Sequence, residues 1–433
     1  MRILSLTQET KTDILSSLLK RSPTQYGSYE ASVKEILEAV QHRGNEALFE
    51  YTRTFDYEGS NEHNVLVTQD EIDEAYQLVD VELLAIIQQA IQNISHFHTK
   101  QKQNSWFDTD ERGVLLGVKV TPLDRVGVYV PGGKAAYPSS VLMNIVPAKV
   151  AGVRELIMVT PPGRDGKVNP NTLVAAAEAG IHKIYKVGGA QAIAALAYGT
   201  TIIPKVDKIV GPGNIYVALA KKQVFGHVSI DSIAGPSEVL VLADETANPK
   251  YVAADLLSQA EHDELASAVL ITTSRSLAEE VSRWVKHYVS VLPRSEIMQQ
   301  SLDQFGFILV ADHLQEAIDT ANEIASEHLE ILTKDPYEVM AKIRHAGAIF
   351  LGEYSCEPIG DYYAGPNHVL PTNGTAKFFS PLSVDDFIKK SSIISYSKEA
   401  LHEVGWDVIQ FAEAELLTAH ANSIRVRLEG DES

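Results

Sequence analysis

Two side chains at the end of one predicted helix, Gln259 and His262, could bind a metal ion together. Asn248 and Pro249 are typical of a helix N-cap and first turn, and the residues up to Glu264 are compatible with a helix. Side chains three residues apart leave the same helix face, so this pair can converge on one ion. Hydrogen-bonded pairs at the surface or in the core have the same spacing, so the spacing alone leaves both interpretations open.

Glu327 and His328 are adjacent and lie between a helical run and the strand-like residues 329–333. A carboxylate and an imidazole at the boundary of two elements can act as a base and a proton shuttle. The alternative is an exposed helix end, where a protonated histidine favours the helix dipole.

Two further clusters contain groups that can bind metal or exchange protons. The loop 360–368 carries Asp361 and His368 between glycine residues, which is also typical of a simple turn. Glu415 and His420 lie five residues apart in a predicted C-terminal helix, on neighbouring faces.

Four glycine-containing segments come after candidate strands: 129–133, 188–191, 211–214 and 234–237. Open α/β sheets bind ligands at the carboxyl ends of their strands, which makes these segments candidate binding loops. None has the G-x-G-x-x-G pattern, because the segment from Gly211 has Tyr216 at the third glycine position. All four could also be turns.

The elements that must position these groups follow an α/β pattern. Candidate strands are residues 126–130, 156–160 and 206–210, then 239–242, 268–272, 307–310 and 348–351. Helical segments separate them, such as 171–179, which Gly180 ends. Helical spacing also occurs in the first 100 residues and after Pro381. Strands alternating with helices predict two α/β regions with parallel sheets.

Composition narrows the function classes. The chain has 433 residues and a net charge of −20, which argues against a nucleic-acid partner. No apolar run is long enough for a transmembrane helix, and the N-terminus lacks signal-peptide features, so we expect no membrane partner and a cytoplasmic location. The single cysteine, Cys356, excludes a Cys-rich zinc motif and has no histidine near it in sequence. Any metal ligands must therefore be His, carboxylate or amide groups.

Read together, these segments closely resemble the histidinol dehydrogenase family over nearly the whole chain. The strongest stretch comprises residues 230–231, 234–238 and 255–262. The other matching motifs are residues 129–133, 188–192, 211–214, 327–329, 360–362, 367–372 and 415–420. So long a pattern is specific, and it favours a functional interpretation of each cluster.

The resemblance implies roles for particular residues. It implies zinc ligands at Gln259, His262, Asp361 and His420, with His420 supplied by a second subunit. It implies that NAD is bound by Tyr129, Gln191 and Asn214, and that Glu327 and His328 are catalytic. It also implies that L-histidinol is bound by Ser237, Gln259, His262, His328, Asp361, Glu415 and His420.

The resemblance also implies a reaction and an assembly. The reaction is oxidation of L-histidinol through L-histidinal to L-histidine with two NAD. The fold is an intertwined homodimer, α/β in class, with two incomplete Rossmann-like domains and small helical N- and C-terminal segments. The predicted divisions are 1–24 (helical), 25–128 with 240–381 (first α/β domain), 129–239 (NAD-binding domain) and 382–433 (helical, exchanged between subunits).

Three other functions remain open on the residues alone. A zinc and NAD enzyme of this fold could oxidise another small alcohol. A zinc hydrolase could use Glu327 to activate water. A non-catalytic metabolite-binding protein would not require both Glu327 and His328.

Overall fold

The computed structural model describes residues 1–19, 27–132, 137–233 and 235–429. The chain forms two compact units. The first comprises Met1–Gln101 and Leu123–Phe387, and the second comprises Lys102–Pro122 and Ile388–Ser433.

A six-stranded parallel sheet lies in the first unit, with strand order β1-β11-β10-β9-β12-β13. Its strands are β1 (Arg2–Ser5), β9 (Glu238–Ala243), β10 (Ser267–Thr272), β11 (Gly306–Val310), β12 (His328–Leu332) and β13 (Ala348–Leu351). Its helices are α1 (Gln8–Leu19), α10 (Pro249–Ala260), α11 (Arg275–Val291), α12 (Ser295–Phe305), α13 (Leu314–Ile324), α14 (Pro336–Met340) and α15 (Glu357–Tyr362).

Alternate residues of each central strand pack into two different hydrophobic cores, one on each face of the sheet. In β9, Val239 and Val241 pack against α10 and α11, whereas Leu240 and Leu242 pack with residues of α1 and α13. Burial on both faces is why the strand reads as a continuous apolar run in the sequence.

A five-stranded parallel sheet, order β6-β5-β4-β7-β8, also lies in the first unit. Its strands are β4 (Arg125–Tyr129), β5 (Glu155–Thr160), β6 (Ile184–Lys186), β7 (Lys208–Val210) and β8 (Ser229–Ile230). Its helices are α2 (Gly27–Arg43), α3 (Asn45–Phe55), α4 (Gln69–Leu78), α5 (Val81–Thr99), α6 (Pro138–Ala151), α7 (Pro170–Glu178), α8 (Gly189–Tyr198) and α9 (Ile215–Val224).

The packing of α2 to α5 differs from the predicted division of the chain. Buried residues of these helices, such as Val33, Leu48 and Ile94, join the cores of the five-stranded sheet. The prediction grouped residues 25–128 with the strands of the other sheet. An amphipathic helix shows in its sequence which face is buried, but not which sheet covers it.

The second unit contains a three-stranded antiparallel sheet, order β14-β3-β2, and two helices. The strands are β2 (Trp106–Thr109), β3 (Leu115–Pro122) and β14 (Ile388–Ser395), and the helices are α16 (Lys398–Ala414) and α17 (Thr418–Glu429). The expectation of a wholly helical segment after residue 381 is therefore wrong at β14. That strand pairs along its whole length with β3, and these backbone hydrogen bonds outweigh its local helical compatibility.

The N-terminal segment also differs from its prediction as purely helical. Residues Arg2–Ser5 form the edge strand β1, paired in parallel with β11, before α1 begins. Residues 20–24 of the predicted segment lie outside the described residues. In the described part of the chain, every helix is too short or too polar to cross a membrane.

Candidate active site

His262, Glu357 and Asp361 form a cluster of groups that can ligate metal. One ligand atom from each lies within 4.8 Å of the others. Glu357 and Asp361 are four residues apart on α15, so both side chains leave the same helix face. Glu357 is buried, Asp361 is partly buried and His262 is exposed. Among the described residues, the structure thus places two carboxylates and one imidazole around a common point.

Gln259 lies in the last turn of α10, but His262 does not continue that helix. The helix ends at Ala260 with Glu261 as its C-cap, and the backbone N–H of His262 donates to the carbonyl of Gln259 at 3.2 Å. The expectation that both residues lie on one helix face, in a helix that extends to Glu264, is therefore corrected. His262 belongs to the turn that follows the helix.

Hydrogen bonds from two elements hold the start of α15. Ser258 of α10 donates through its hydroxyl to Glu357 Oε2 at 3.0 Å. The backbone N–H of Glu357 donates to Glu330 Oε1 at 2.8 Å. Glu330 lies on β12 and is completely buried. Hydrogen bonds from α10 and β12 therefore set the position of α15, the helix that carries Asp361.

The charges of the two carboxyl groups on α15 differ. Burial raises the pKa of Asp361, but the neighbouring His328, whose Nε2 lies 3.6 Å from Oδ1, and the charge of His368 outweigh burial and lower the pKa to about 2. Burial and the neighbouring charge of Asp361 raise the pKa of Glu357 to about 8. Asp361 is thus the anionic group of the cluster at neutral pH.

His328 and Glu327 lie at the amino end of β12, directly beside this cluster. His328 Nε2 lies 3.6 Å from Asp361 Oδ1, and His328 Nδ1 lies 3.7 Å from Glu327 Oε2. Both residues are buried. The chain reaches them through Ala325, whose left-handed conformation ends α13. The alternative of an exposed helix end is therefore excluded for this pair.

Glu238, at the amino end of the neighbouring strand β9, holds both residues. Its carbonyl oxygen lies 2.9 Å from His328 Nδ1, and its backbone N–H donates to Glu327 Oε2 at 2.8 Å. A carbonyl can only accept, so Nδ1 of His328 carries the proton of this hydrogen bond. In the neutral imidazole, Nε2 is then the atom with a lone pair, and it faces Asp361.

Burial and charge shift the pKa values of these two residues. Burial raises the pKa of Glu327 to about 8, although His328 and the N–H of Glu238 act in the opposite direction. Burial lowers the pKa of His328, but the charges of Glu327 and Asp361 outweigh it and raise the pKa to about 10. His328 is therefore mostly protonated at neutral pH, and it can act as a base only from its neutral form.

The donor groups of the cluster fit a zinc ion. Nitrogen and oxygen ligands suit zinc, and catalytic zinc sites have few enough protein ligands to leave room for substrate. Gln259 Oε1 is buried and accepts no hydrogen bond among the described residues. Buried polar atoms are normally paired, so this orphaned oxygen is consistent with a missing ligand. Gln259, His262 and Asp361 are the predicted ligands from the first unit.

A cavity of about 1250 Å³ lies at the carboxyl ends of strands β4, β5, β6 and β7. Tyr129, Gln191 and Asn214, the three residues predicted to bind NAD, all line it. Pockets of this size and position accommodate cofactors in open α/β sheets. The structure thus brings together three residues that are far apart in sequence.

Asn214 is the N-cap of α9. Its Oδ1 accepts hydrogen bonds from the backbone N–H groups of Tyr216, at 3.1 Å, and Val217, at 3.2 Å. Asn214 lines the cavity, and its Nδ2 donates no hydrogen bond among the described residues. One amide can therefore cap the helix with its oxygen and donate to a ligand with its nitrogen.

Asp56, at the C-terminus of α3, is a cavity residue that the sequence did not indicate. Its Oδ2 accepts from Gln191 Nε2 and from the backbone N–H of Gly188, both at 3.2 Å. Burial raises the pKa of Asp56 to about 6. Asp56 orients Gln191 by holding its amide nitrogen. No motif near Asp56 marks it, whereas Glu357 could have been found from its spacing of four before Asp361.

The loop that contains Gly235 and the loop that contains Thr372 contact each other beside β9. The backbone N–H of Gly235 donates to Thr372 Oγ1 at 2.7 Å. A Cβ atom at Gly235 would lie 1.7 Å from Asn373 Nδ2, so a larger residue there would require the Asn373 side chain to move. Ser237, a predicted substrate contact, directly precedes β9 and Glu238. The segment 367–372 therefore supports the loop that carries Ser237.

Glu415 and His420 belong to the second unit. Glu415 is the C-cap of α16 and His420 lies in the first turn of α17. Both side chains are exposed. Their roles as substrate and zinc ligands stay a prediction.

The fold and these two sites define a class of protein: a parallel α/β enzyme with a cofactor-sized cleft and a buried acid–base pair beside metal-ligating groups. The model of the histidinol dehydrogenase family matches residues 19–428. A histidinol dehydrogenase of Halalkalibacterium halodurans is 57% identical over 415 residues, which cover 96% of this chain and 97% of that protein. The histidinol dehydrogenase of Bacillus subtilis is 59% identical over 396 residues, 92% of each chain.

A solved structure agrees with these relatives. The crystal structure of histidinol dehydrogenase from Elizabethkingia anophelis superposes with a TM-score of 0.93 at 39% identity, covering 100% of this chain and 99% of that one. The chain belongs to the histidinol dehydrogenase family. The predicted family, fold class and assignment as an oxidoreductase of histidine biosynthesis are confirmed.

Proposed function

We propose that the chain oxidises L-histidinol through L-histidinal to L-histidine, with one zinc ion at Gln259, His262 and Asp361 and with NAD in the cavity that Asn214 lines. The main observation behind this proposal is that a residue suited to proton transfer lies beside the metal-ligating cluster. The proton-transferring His328 lies 3.6 Å from Asp361, which belongs to the metal-ligating cluster. A substrate held at that cluster would have its reacting carbon next to a base.

The two cofactors would supply complementary chemistry. Zinc, when bound, would hold and orient the imidazole and amino group of the substrate as a template. NAD, when bound, would supply the hydride acceptor. The unpaired Gln259 Oε1 and the anionic Asp361 support the zinc assignment, and the position of Asn214 in the cavity lining supports the NAD assignment.

His328, in its neutral form, takes the proton in the first oxidation. A hydride leaves an alcohol carbon readily only as the hydroxyl proton is removed, so a base must lie within hydrogen-bond reach. The carbonyl of Glu238 holds His328 Nδ1 and thereby directs Nε2 toward the cluster. One C–H bond and one O–H bond break, and the carbon–oxygen double bond of the aldehyde forms.

Glu327 acts in the second oxidation. Water must add to the aldehyde before a second hydride can leave, and Glu327 accepts the proton that this water loses. His328 first releases the proton of the earlier step to solvent and then accepts the proton that the hydrate loses as the carboxylate forms. Burial of both side chains limits the access of bulk water, which helps to retain the reactive aldehyde.

We propose further that the protein is a homodimer whose active sites are shared. The family resemblance assigns His420 and Glu415 to the site of the neighbouring subunit. In the single chain, α16 and the turn that follows it expose the large apolar side chains of Trp406, Phe411 and Leu416. Apolar groups exposed in this number are typical of a surface that another chain covers, which supports the assignment.

The test is oxidation of L-histidinol by zinc-loaded protein, followed as the increase in NADH absorbance. An increase with L-histidinol and none with unrelated small alcohols is the expected result. An increase only with another alcohol would identify a different dehydrogenase. Cleavage of amide or ester substrates without NADH formation would identify a hydrolase. Such a biosynthetic enzyme is expected in the cytoplasm.

A further inference from the structure

Lys221 and Asp231 form a salt bridge that is almost completely buried. Their side chains are only 3% and 4% exposed. Lys221 lies on α9, and Asp231 directly follows β8. Burial removes the hydration of both charges, so such a pair persists only where further hydrogen bonds satisfy it. The residue that makes these further hydrogen bonds with Lys221 and Asp231 therefore indicates the role of the salt bridge.

Both side chains bond to the backbone of one residue, Gly211. Asp231 Oδ2 accepts from the N–H of Gly211 at 2.8 Å, and Lys221 Nζ donates to its carbonyl oxygen at 2.9 Å. We call this arrangement the Gly211 clamp. Charged groups make stronger hydrogen bonds than neutral ones, so the clamp fixes the peptide groups on both sides of Gly211.

Gly211 is also in close contact with the end of β4. Its φ angle is +115°, and a Cβ atom there would lie 2.0 Å from the carbonyl oxygen of Tyr129. Only glycine allows this conformation and this approach. The clamp therefore sets the position of the loop 211–214 relative to Tyr129.

We propose that Lys221 and Asp231 are positioning residues for dinucleotide binding. They hold the loop that carries Asn214 against Tyr129, so NAD meets an already ordered site. Ordering a loop during binding costs affinity, and a loop ordered beforehand avoids this cost. Neither residue lines the cavity, so their effect on NAD passes through Gly211. This inference rests on the proposed NAD site.

The first variant removes both charges at once. In Lys221→Met/Asp231→Leu no lone charge remains in the core, so the protein is expected to fold. The dissociation constant for NADH, measured by nucleotide fluorescence, should rise about tenfold, and KM for NAD should rise similarly. KM for L-histidinol and kcat at saturating NAD should change by less than about twofold.

Two further variants separate positioning from general stability. Lys221→Gln/Asp231→Asn retains a donor and an acceptor without charge, and it should recover part of the NADH affinity. Lys208→Met/Asp386→Asn removes a second Lys–Asp salt bridge, at the start of β7, whose atoms lie 2.8 Å apart. This control should lower the melting temperature but leave NADH affinity within about twofold of the wild type.

Four outcomes distinguish the inference from the proposed function. Weaker NADH binding in the clamp variant but not in the control supports it. Equal losses of stability in both variants with unchanged NADH affinity would overturn it, because the clamp would then be purely structural. A wild-type protein that binds NADH but does not oxidise L-histidinol would contradict the proposed function while the binding data still test the clamp. A wild type that binds no NADH would overturn both.

Discussion

At the scale of single residues, the proposed proton transfer depends on how His328 is held. The carbonyl of Glu238 fixes one ring nitrogen at 2.9 Å and thereby directs the other toward Asp361. The family resemblance implies that His328 and Glu327 are the catalytic pair, but the supporting role of Glu238 depends on the register of β12 beside β9. Such cross-strand partners cannot be read from sequence, because neither strand specifies its neighbour.

Replacement of the base tests this arrangement. In His328→Asn, the amide cannot accept the hydroxyl proton, so kcat should fall by about a hundredfold or more. Zinc content, measured by atomic absorption on the purified protein, should stay near that of the wild type. Loss of zinc from this variant would instead make His328 a metal ligand.

The two carboxylates of α15 are predicted to have different roles. Asp361→Asn should lower zinc retention during dialysis against a weak chelator by about tenfold or more, because a charged ligand is lost. Glu357→Gln should retain zinc, since an amide oxygen can still accept the hydrogen bond of Ser258. Equal zinc loss from both variants would show that Glu357 also binds the metal.

At the scale of elements, most of the strands that were predicted correctly are buried on both faces, although the edge strand β13 was also predicted. Residues 239–242 and 268–272 read as strands because each is a continuous apolar run, and both lie at the centre of the sheet. The strands β1 and β14 were missed. β1 has only four residues, and β14 is mostly polar or exposed, so neither shows a clear apolar pattern.

Asn214 is predicted to have two roles that can be tested separately. It caps α9, and it is proposed to bind NAD. Asn214→Ala should lower the free energy of unfolding by about 1 kcal/mol through loss of the cap and should also weaken NADH binding. Asn214→Ser should restore the stability, since serine is a good N-cap, but not the binding, since the Nδ2 donor is absent. Denaturant unfolding and NADH titration measure the two effects.

Full recovery of NADH binding in Asn214→Ser would contradict a direct contact between Nδ2 and the dinucleotide. It would show that Asn214 acts on the cofactor only by holding α9.

At the scale of the whole molecule, helical spacing alone would have left the metal site incomplete. It paired Gln259 with His262, but Asp361 lies about 100 residues further along the chain and is brought to His262 by the packing of α15 against α10. Only the resemblance to the family indicated that Asp361 belongs to the same site. The partner of His420 is another subunit in this account, and no pattern within one chain specifies it.

Mixing two inactive variants tests the shared active site. His262→Asn and His420→Asn alter the same proposed site from different subunits. Refolded together, half of the dimers should contain one of each chain, and one site in each of these is intact. About a quarter of the wild-type activity should therefore return. No recovery, in a mixture shown to contain heterodimers, would favour a site made within one chain.

The most direct test of the central claim is the stoichiometry of NADH formed per L-histidinol consumed. A limiting amount of L-histidinol is incubated with zinc-loaded protein and excess NAD, and NADH is measured at completion by its absorbance. The proposed two-step oxidation predicts two NADH per L-histidinol, with L-histidine as the product. One NADH with accumulation of the free aldehyde, or no NADH at all, would contradict it.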